Sequence, residues 1–146
     1  MMKETYFLSR TDAEGNERRM PIGIIKGATP GERITVFGGQ HGTEYAGIEA
    51  AMRLFRETDP ADVSGTIVVS MATHEESVMN WIQVAPTHPE IADMMLEAAT
   101  GSQYIINCHG GEFTEERHPY VICRLIGDEA AEAVAMRMAR ALGVGI

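Results

Sequence analysis

The stretch GGQHGTEYAG, Gly38 to Gly47, follows without a break on the apolar run RITVF, Arg33 to Phe37. A short β-branched and aromatic run that ends in glycines reads as a buried strand closing in a sharp turn. Beyond the turn the hydrophobic period changes. Tyr45, Ile48, Met52 and Phe55 recur at helical spacing, which predicts a helix from Thr43 to about Arg56 with these four on its apolar face.

The same alternation of strand and helix runs outward in both directions. Upstream, TYFLS, the turn-rich TDAEGN and RRMPIGIIKG read as a hairpin, and ATPGE reads as a loop on its Pro-Gly. Downstream, TDPADVSG ends the helix and TIVVSMA is a second buried strand. THEESVMNWIQVAPTHP, with two prolines, reads as irregular. PEIADMMLEAATG is a helix with Pro near its start and Gly after its end. QYIINC is a third buried strand, HPYVICRLI a fourth, and DEAAEAVAMRMARALG a closing helix capped by Asp128 and stopped at Gly143. Strands alternating with helices predict an α/β sandwich with parallel pairing, and near-continuous Val/Ile strands suit a sheet covered on both faces.

In such sheets ligands bind beyond the carboxyl ends of the strands. The residues just past each strand are therefore informative. His41 and Glu44 come after the first, His74, Glu75 and Glu76 after the second, and His109, Gly110, Gly111 and Glu112 after the third. If the three strands are parallel neighbours, the three clusters converge on one edge. Zinc takes imidazole nitrogen and carboxylate oxygen, and a catalytic site uses three protein ligands with one position left for water. His41 and Glu44, three positions apart at a loop entering a helix, can aim the same way, and His109 would add a third donor. The order is H-x-x-E, so Glu44 would be a ligand and not a base. A plain glycine turn, with Glu44 complementing the helix N-terminus, explains the first cluster without metal. The CHGGE sequence at the end of another strand brings the metal reading level with it.

Composition narrows the classes. The chain has 146 residues, one domain by length, with 45% hydrophobic residues and a formal net charge of -9. An acidic chain with no Lys/Arg run points away from nucleic acid and anionic membrane. No apolar stretch reaches spanning length, and MMKETYFLSRTD lacks the apolar centre of a signal peptide. Cys108 and Cys123 make no disulfide framework and read as small hydrophobes in a reducing, cytoplasmic setting.

RRMPIGIIKGATPGERITVFGGQHGTEYAG resembles the opening of the succinylglutamate desuccinylase/aspartoacylase family of zinc carboxypeptidase-like hydrolases. The shared features are a strand with Pro, an I-x-G-x-x-P-G turn, a buried strand and G-x-H-G-x-E. YIINCHGGEF followed by HPYVICRL resembles the family's strand ending in D-x-H-G-G and the strand after it. The match runs from about Arg18 to Leu125. It implies a three-layer sandwich with a mixed, largely parallel sheet, and zinc (Zn2+) held by His41, Glu44 and His109. It also implies hydrolysis of an amide bond beside a carboxylate in a small acyl amino acid or peptide.

Two positions and the region of the general base depart from the family pattern. Asn80-Trp81 stands where the family has Asn-Arg, which leaves Asn80 as the substrate-binding residue. Asn107 replaces the Asp two before the third ligand. The family's general base lies in a later strand, and this chain stops at GVGI, where another strand should begin. The expectation is thus a fold truncated at its C-terminal side with no identified catalytic base. The alternative is a non-catalytic zinc-binding domain that needs another chain to complete it, with an open sheet edge favouring a homo-oligomer.

The remaining candidates rest on position. His74 could reach the site. His88 and His118, each before Pro, are expected at the surface. Cys108 should face the core if His109 faces the site. Glu112, Glu115 or Glu116 could replace the base, although a charged loop explains them, and Arg117 or Arg124 could bind a carboxylate. Met52, Met94, Met95, Met136 and Met138 read as core filler.

Overall fold

The structure is a computed structural model that describes residues 1–83, 88–112 and 115–143. The described chain groups into two compact units, Met1–Glu115 and Glu116–Ile146.

The first unit is built on a five-stranded sheet in the order β1-β2-β4-β3-β5. β1 (Met2–Thr11) and β2 (Glu17–Lys26) form the expected hairpin, in register from Met2 opposite Lys26 to Thr11 opposite Glu17. Asp12 closes the turn by accepting from the Glu14 and Asn16 amides and from the Arg18 guanidinium. β2 runs antiparallel to β4 (Ser64–Ser70), and β3 (Thr29–Gly38) lies parallel to both β4 and β5 (Tyr104–Cys108). The sheet is mixed, and its parallel part is the trio β4, β3, β5, whose carboxyl ends the sequence marks with histidines. The expected ATPGE loop is instead absorbed into β3. Thr29 pairs with Ser64, and the ladder shifts register before resuming at Arg33 opposite Thr66, because Pro30 cannot donate to a ladder.

Period-two alternation sends neighbouring side chains to opposite faces. Leu8, Met20, Ile22, Phe37 and Val68 pack with Ile91, Met94 and Ala98 of helix α3 (Pro89–Ala99). On the other face, Gly23 meets Phe55 and Gly38 meets Gly47 and Ala51, all on helix α1 (Tyr45–Glu57). Helices on both sides of a sheet make the three layers.

The buried stripe of α1 is Gly47, Ile48 and Ala51, whereas Tyr45 and Met52 are exposed. Of the predicted apolar face, Ile48 is buried and Phe55 meets Gly23, and the buried stripe is shifted toward Gly47 and Ala51. Small residues win the contact because the helix lies so close to the sheet that a Cβ on Gly47 would stand 2.6 Å from the Cys108 carbonyl oxygen. Met52 is thus not core filler, whereas Met94 is fully buried. The segment expected to be irregular contains helix α2 (Glu75–Met79), and its residues 84–87 lie outside the described chain.

In the second unit, helix α4 (Glu129–Ala141) starts as expected, with the Asp128 carboxylate accepting from the Ala130 and Ala131 amides. Glu132 accepts from the Ile126 and Gly127 amides and holds the entry to the helix. The fourth strand expected over HPYVICRLI is not formed. Tyr120 makes an isolated bridge, and Ile122, Leu125 and Ile126 are exposed. An apolar run becomes a strand only against a ladder partner, and among the described residues none pairs with 121–126. The strand expected to open at GVGI falls on 144–146, outside the described residues.

Candidate metal centre

Parallel register sets the site. Phe37 stands opposite Ser70 and Gly38 opposite Cys108, so β4, β3 and β5 end side by side. The chain leaving β4 is laced to the end of β3, because the Thr73 amide donates to Gly38 O (2.8 Å) and the His74 amide to Gly39 O (3.0 Å). His41, just past the end of β3, and His109, directly after β5, are thereby brought together, with ring centroids 5.2 Å apart. Glu44 joins them. Its Oε2 lies 2.9 Å from His109 Nδ1 and accepts the Gly110 amide at 3.2 Å. One donor atom from each of the three residues lies within 4.8 Å of the others.

Glu44 occupies the N-cap position of α1, yet its side chain makes no capping hydrogen bond. The metal-free reading, in which Glu44 complements the helix terminus, therefore loses its main contact. The carboxylate is buried and turned toward His109. His41 is half-buried, and its Nδ1 is buried without a hydrogen-bond partner among the described residues. A buried ring nitrogen left unpaired is costly unless something binds it. Two imidazoles, a buried carboxylate and that orphan nitrogen suit zinc, which takes this donor set.

The loop between His41 and Glu44 rests on α2. The Gly42 amide donates to Ile82 O (2.9 Å) and to Ser77 Oγ (3.0 Å). A Cβ at Gly42 would stand 1.8 Å from Ser77 O, so only glycine allows this approach. Gln40 and Asn107, each beside a strand end that carries a residue of the cluster, are joined by a 2.7 Å hydrogen bond from Asn107 Nδ2 to Gln40 Oε1.

The other candidates fall elsewhere. Asn80 is exposed at the end of α2, and its amide donates to Glu76 O at 3.0 Å. Trp81, where the resemblance expects arginine, has a left-handed backbone (φ 58) and lies edge-on to Tyr45. His74 does not join the three-residue cluster. It is buried and caps α2, its Nδ1 accepting the Ser77 amide at 3.1 Å. Burial lowers its pKa from the usual value near 6.5, and neighbouring His88, Arg18 and His41 push it the same way. His88 is not a plain surface residue. It is half-buried, with its ring 5.4 Å from that of His74. His118, Glu115, Glu116, Arg117 and Arg124 are exposed, and Glu112 is half-buried. Burial raises the Cys108 thiol pKa, consistent with a side chain turned toward α1.

Two features carry no signal that the sequence reading used. Arg18 is mostly buried and holds Asp12 and Glu76, while Arg19 pairs with Glu75. They line a cleft of about 520 Å³ with His74. Ser77, fully buried under the His41 loop, is the other, and its signal would have been a residue three positions after a helix cap.

The fold and cluster define a mixed α/β sandwich with a His-Glu-His group at the ends of its parallel strands. That fold is shared with solved structures of the succinylglutamate desuccinylase/aspartoacylase type. A succinylglutamate desuccinylase from Silicibacter sp. TM1040 superposes with a TM-score of 0.80 at 18% identity, over 95% of this chain and 49% of that one. A succinylglutamate desuccinylase/aspartoacylase from Rhodobacter sphaeroides gives 0.76 at 17% identity, over 94% and 48%. An aspartoacylase family protein from Mesorhizobium loti gives 0.76 at 18% identity, over 97% and 51%. The chain spans about half the length of the structures it matches, and at these identities the likeness establishes the fold. No protein-family profile matches the sequence, and no curated protein matches it.

Proposed function

We propose that this chain is a zinc-dependent hydrolase domain acting on an amide bond beside a carboxylate, by N-acyl amino acid deacylation or carboxypeptidase-like cleavage. The observation that carries the reading is the convergence of His41, Glu44 and His109 with an unpartnered, buried His41 Nδ1. These three residues would hold the ion. Bound zinc supplies a polarised carbonyl and a water acidic enough to ionise near neutral pH.

The chain's own residues have narrower tasks. Glu44 keeps the His109 ring turned toward His41. Asn80 offers a side-chain amide to the substrate, once free of Glu76 O. Cleavage breaks the C–N bond, adds water oxygen to the carbonyl carbon and delivers a proton to the leaving nitrogen. A carboxylate near the ligands must relay that proton, and Glu112, three residues after His109, is the nearest candidate in sequence. The reading takes residues 1–146 as one cytoplasmic zinc carboxypeptidase-like domain acting on a small molecule.

The second reading is a non-catalytic zinc domain that assembles with another chain, itself included. Trp81 at the position expected to bind substrate carboxylate favours it. Metal analysis of protein purified without added zinc tests the common premise. About one zinc per chain is expected, and protein that neither carries nor takes up zinc overturns both readings. Sedimentation at high concentration bears on the second, because a clean monomer weighs against self-assembly.

A further inference from the structure

We infer that His74 and Ser77 are positioning residues for the loop carrying His41 and Glu44, acting through a buried hydrogen-bond chain that ends on the Gly42 amide. The inference rests on the zinc reading of His41, Glu44 and His109. Each link has a defined direction. His74 Nδ1 accepts the Ser77 amide (3.1 Å), which puts the proton of the neutral ring on Nε2, a buried atom with no hydrogen-bond partner among the described residues. Ser77 Oγ donates its one hydrogen to Ile82 O and accepts the Gly42 amide with a lone pair (3.0 Å). Ile82 N returns a bond to Ser77 O at 2.9 Å. Ser77 thus fixes both acceptors of Gly42, its own hydroxyl and the Ile82 carbonyl.

Burial makes this chain consequential. Ser77 is 0% and His74 5% exposed, so water cannot replace a lost partner, and an unmet buried group costs more than the bond it made. α2 has five residues, too few to hold by helix propensity alone. Its cap is therefore a large part of what keeps Ser77 in place. Gly42 sits between the two ligands of the loop, and its backbone lies against that of Ser77. A shift of α2 consequently moves His41 and Glu44 relative to His109. The ring must stay neutral to accept from Ser77. Burial opposes a positive charge there, as does the neighbouring His88 ring, 5.4 Å away.

The test is zinc affinity by chelator competition, with amide hydrogen exchange at Gly42 in the metal-free protein. His74→Leu removes the acceptor, Ser77→Ala removes the hydroxyl, and His74→Asn keeps a side-chain acceptor of the kind that caps helices well. Outer partners of metal ligands typically contribute about 10–100-fold in affinity. Leu and Ala at these positions are expected to weaken zinc about tenfold and to speed Gly42 exchange, with far-UV circular dichroism unchanged. His74→Asn should restore both. If the wild type binds zinc and both Ser77→Ala and His74→Leu bind it equally well, the inference is overturned. If His74→Leu fails to fold, Ser77→Ala alone decides. A wild type that takes up no zinc overturns the metal reading instead, and Gly42 exchange then decides whether the clamp on the loop exists.

Discussion

Among the buried polar atoms without a partner among the described residues, His41 Nδ1 is the one that belongs to the His41, Glu44 and His109 cluster, which gives this side chain its chemical weight. A three-ligand zinc site that loses one ligand is a poor site. His41→Ala should therefore abolish stoichiometric zinc, read by metal analysis, and leave circular dichroism close to the wild type. Tight zinc retained in that variant would put the metal elsewhere. His118→Ala, at an exposed residue, should leave zinc content unchanged. Gly42 is the second sensitive position. The obstacle to a side chain there is backbone, with Ser77 O at 1.8 Å and Ser77 C at 2.3 Å from an added Cβ, and backbone does not rotate aside as a side chain does. Gly42→Ala should displace the loop at a cost of about 1–3 kcal/mol, as overpacking usually does. Urea unfolding reads the stability loss and chelator competition the zinc. An alanine variant with normal stability and normal zinc would refute the close approach. The H-x-x-E spacing and the histidine after the third strand were legible because both depend only on where strands end. The role of Ser77 was not, since it depends on a packing contact 35 positions away in sequence.

At the scale of elements, α2 shows what periodicity misses. Five residues are too short to show a hydrophobic period, and the helix exists because His74 caps it and because it packs against β2. This cap makes stability depend on pH. The folded state holds His74 below its ordinary pKa near 6.5, so above that value the ring is neutral in both states and nothing is lost. As pH falls below 6.5, the unfolded chain takes up the proton first and stability declines until the folded-state pKa is passed. Urea unfolding of the metal-free protein from about pH 8 down to about pH 5 should show this decline. His74→Asn, a cap that does not titrate, should flatten it, and an identical slope in the two proteins would mean the decline comes from other groups. The buried face of α1 differs in part from the spacing for a related reason: Ile48 is buried and Phe55 meets Gly23, whereas Tyr45 and Met52 are exposed. Spacing selects the large apolar residues, but the close approach of α1 to β3 and β5 selects Gly47, Ile48 and Ala51. The HPYVICRLI run failed as a strand because composition sets strand propensity, whereas a ladder needs a neighbour.

At the scale of the whole molecule, the hairpin, the parallel trio and the convergence of their ends were readable from the chain, because alternation of period two and 3.6 fixes layers and layers fix ends. The chemistry at those ends is less complete. Zinc on His41, Glu44 and His109 would by itself generate some hydroxide and polarise a carbonyl. A positioned general base typically adds about a hundred- to ten-thousand-fold, and a held substrate carboxylate adds orientation. Asn80 uses its amide at the end of α2, and Trp81 offers no cation to a carboxylate. The expected outcome is that the 146-residue chain, loaded with zinc, hydrolyses N-acetyl and N-succinyl amino acids and dipeptides weakly at best. The measurement is a panel of those substrates against a chelated control. Efficient turnover abolished by chelation would show that a carboxylate of this chain supplies the base. Single Gln variants of Glu112, Glu115 and Glu116 would then locate it, because only the base should lower kcat by about a hundredfold or more, on the order expected for general-base loss, while leaving bound zinc intact.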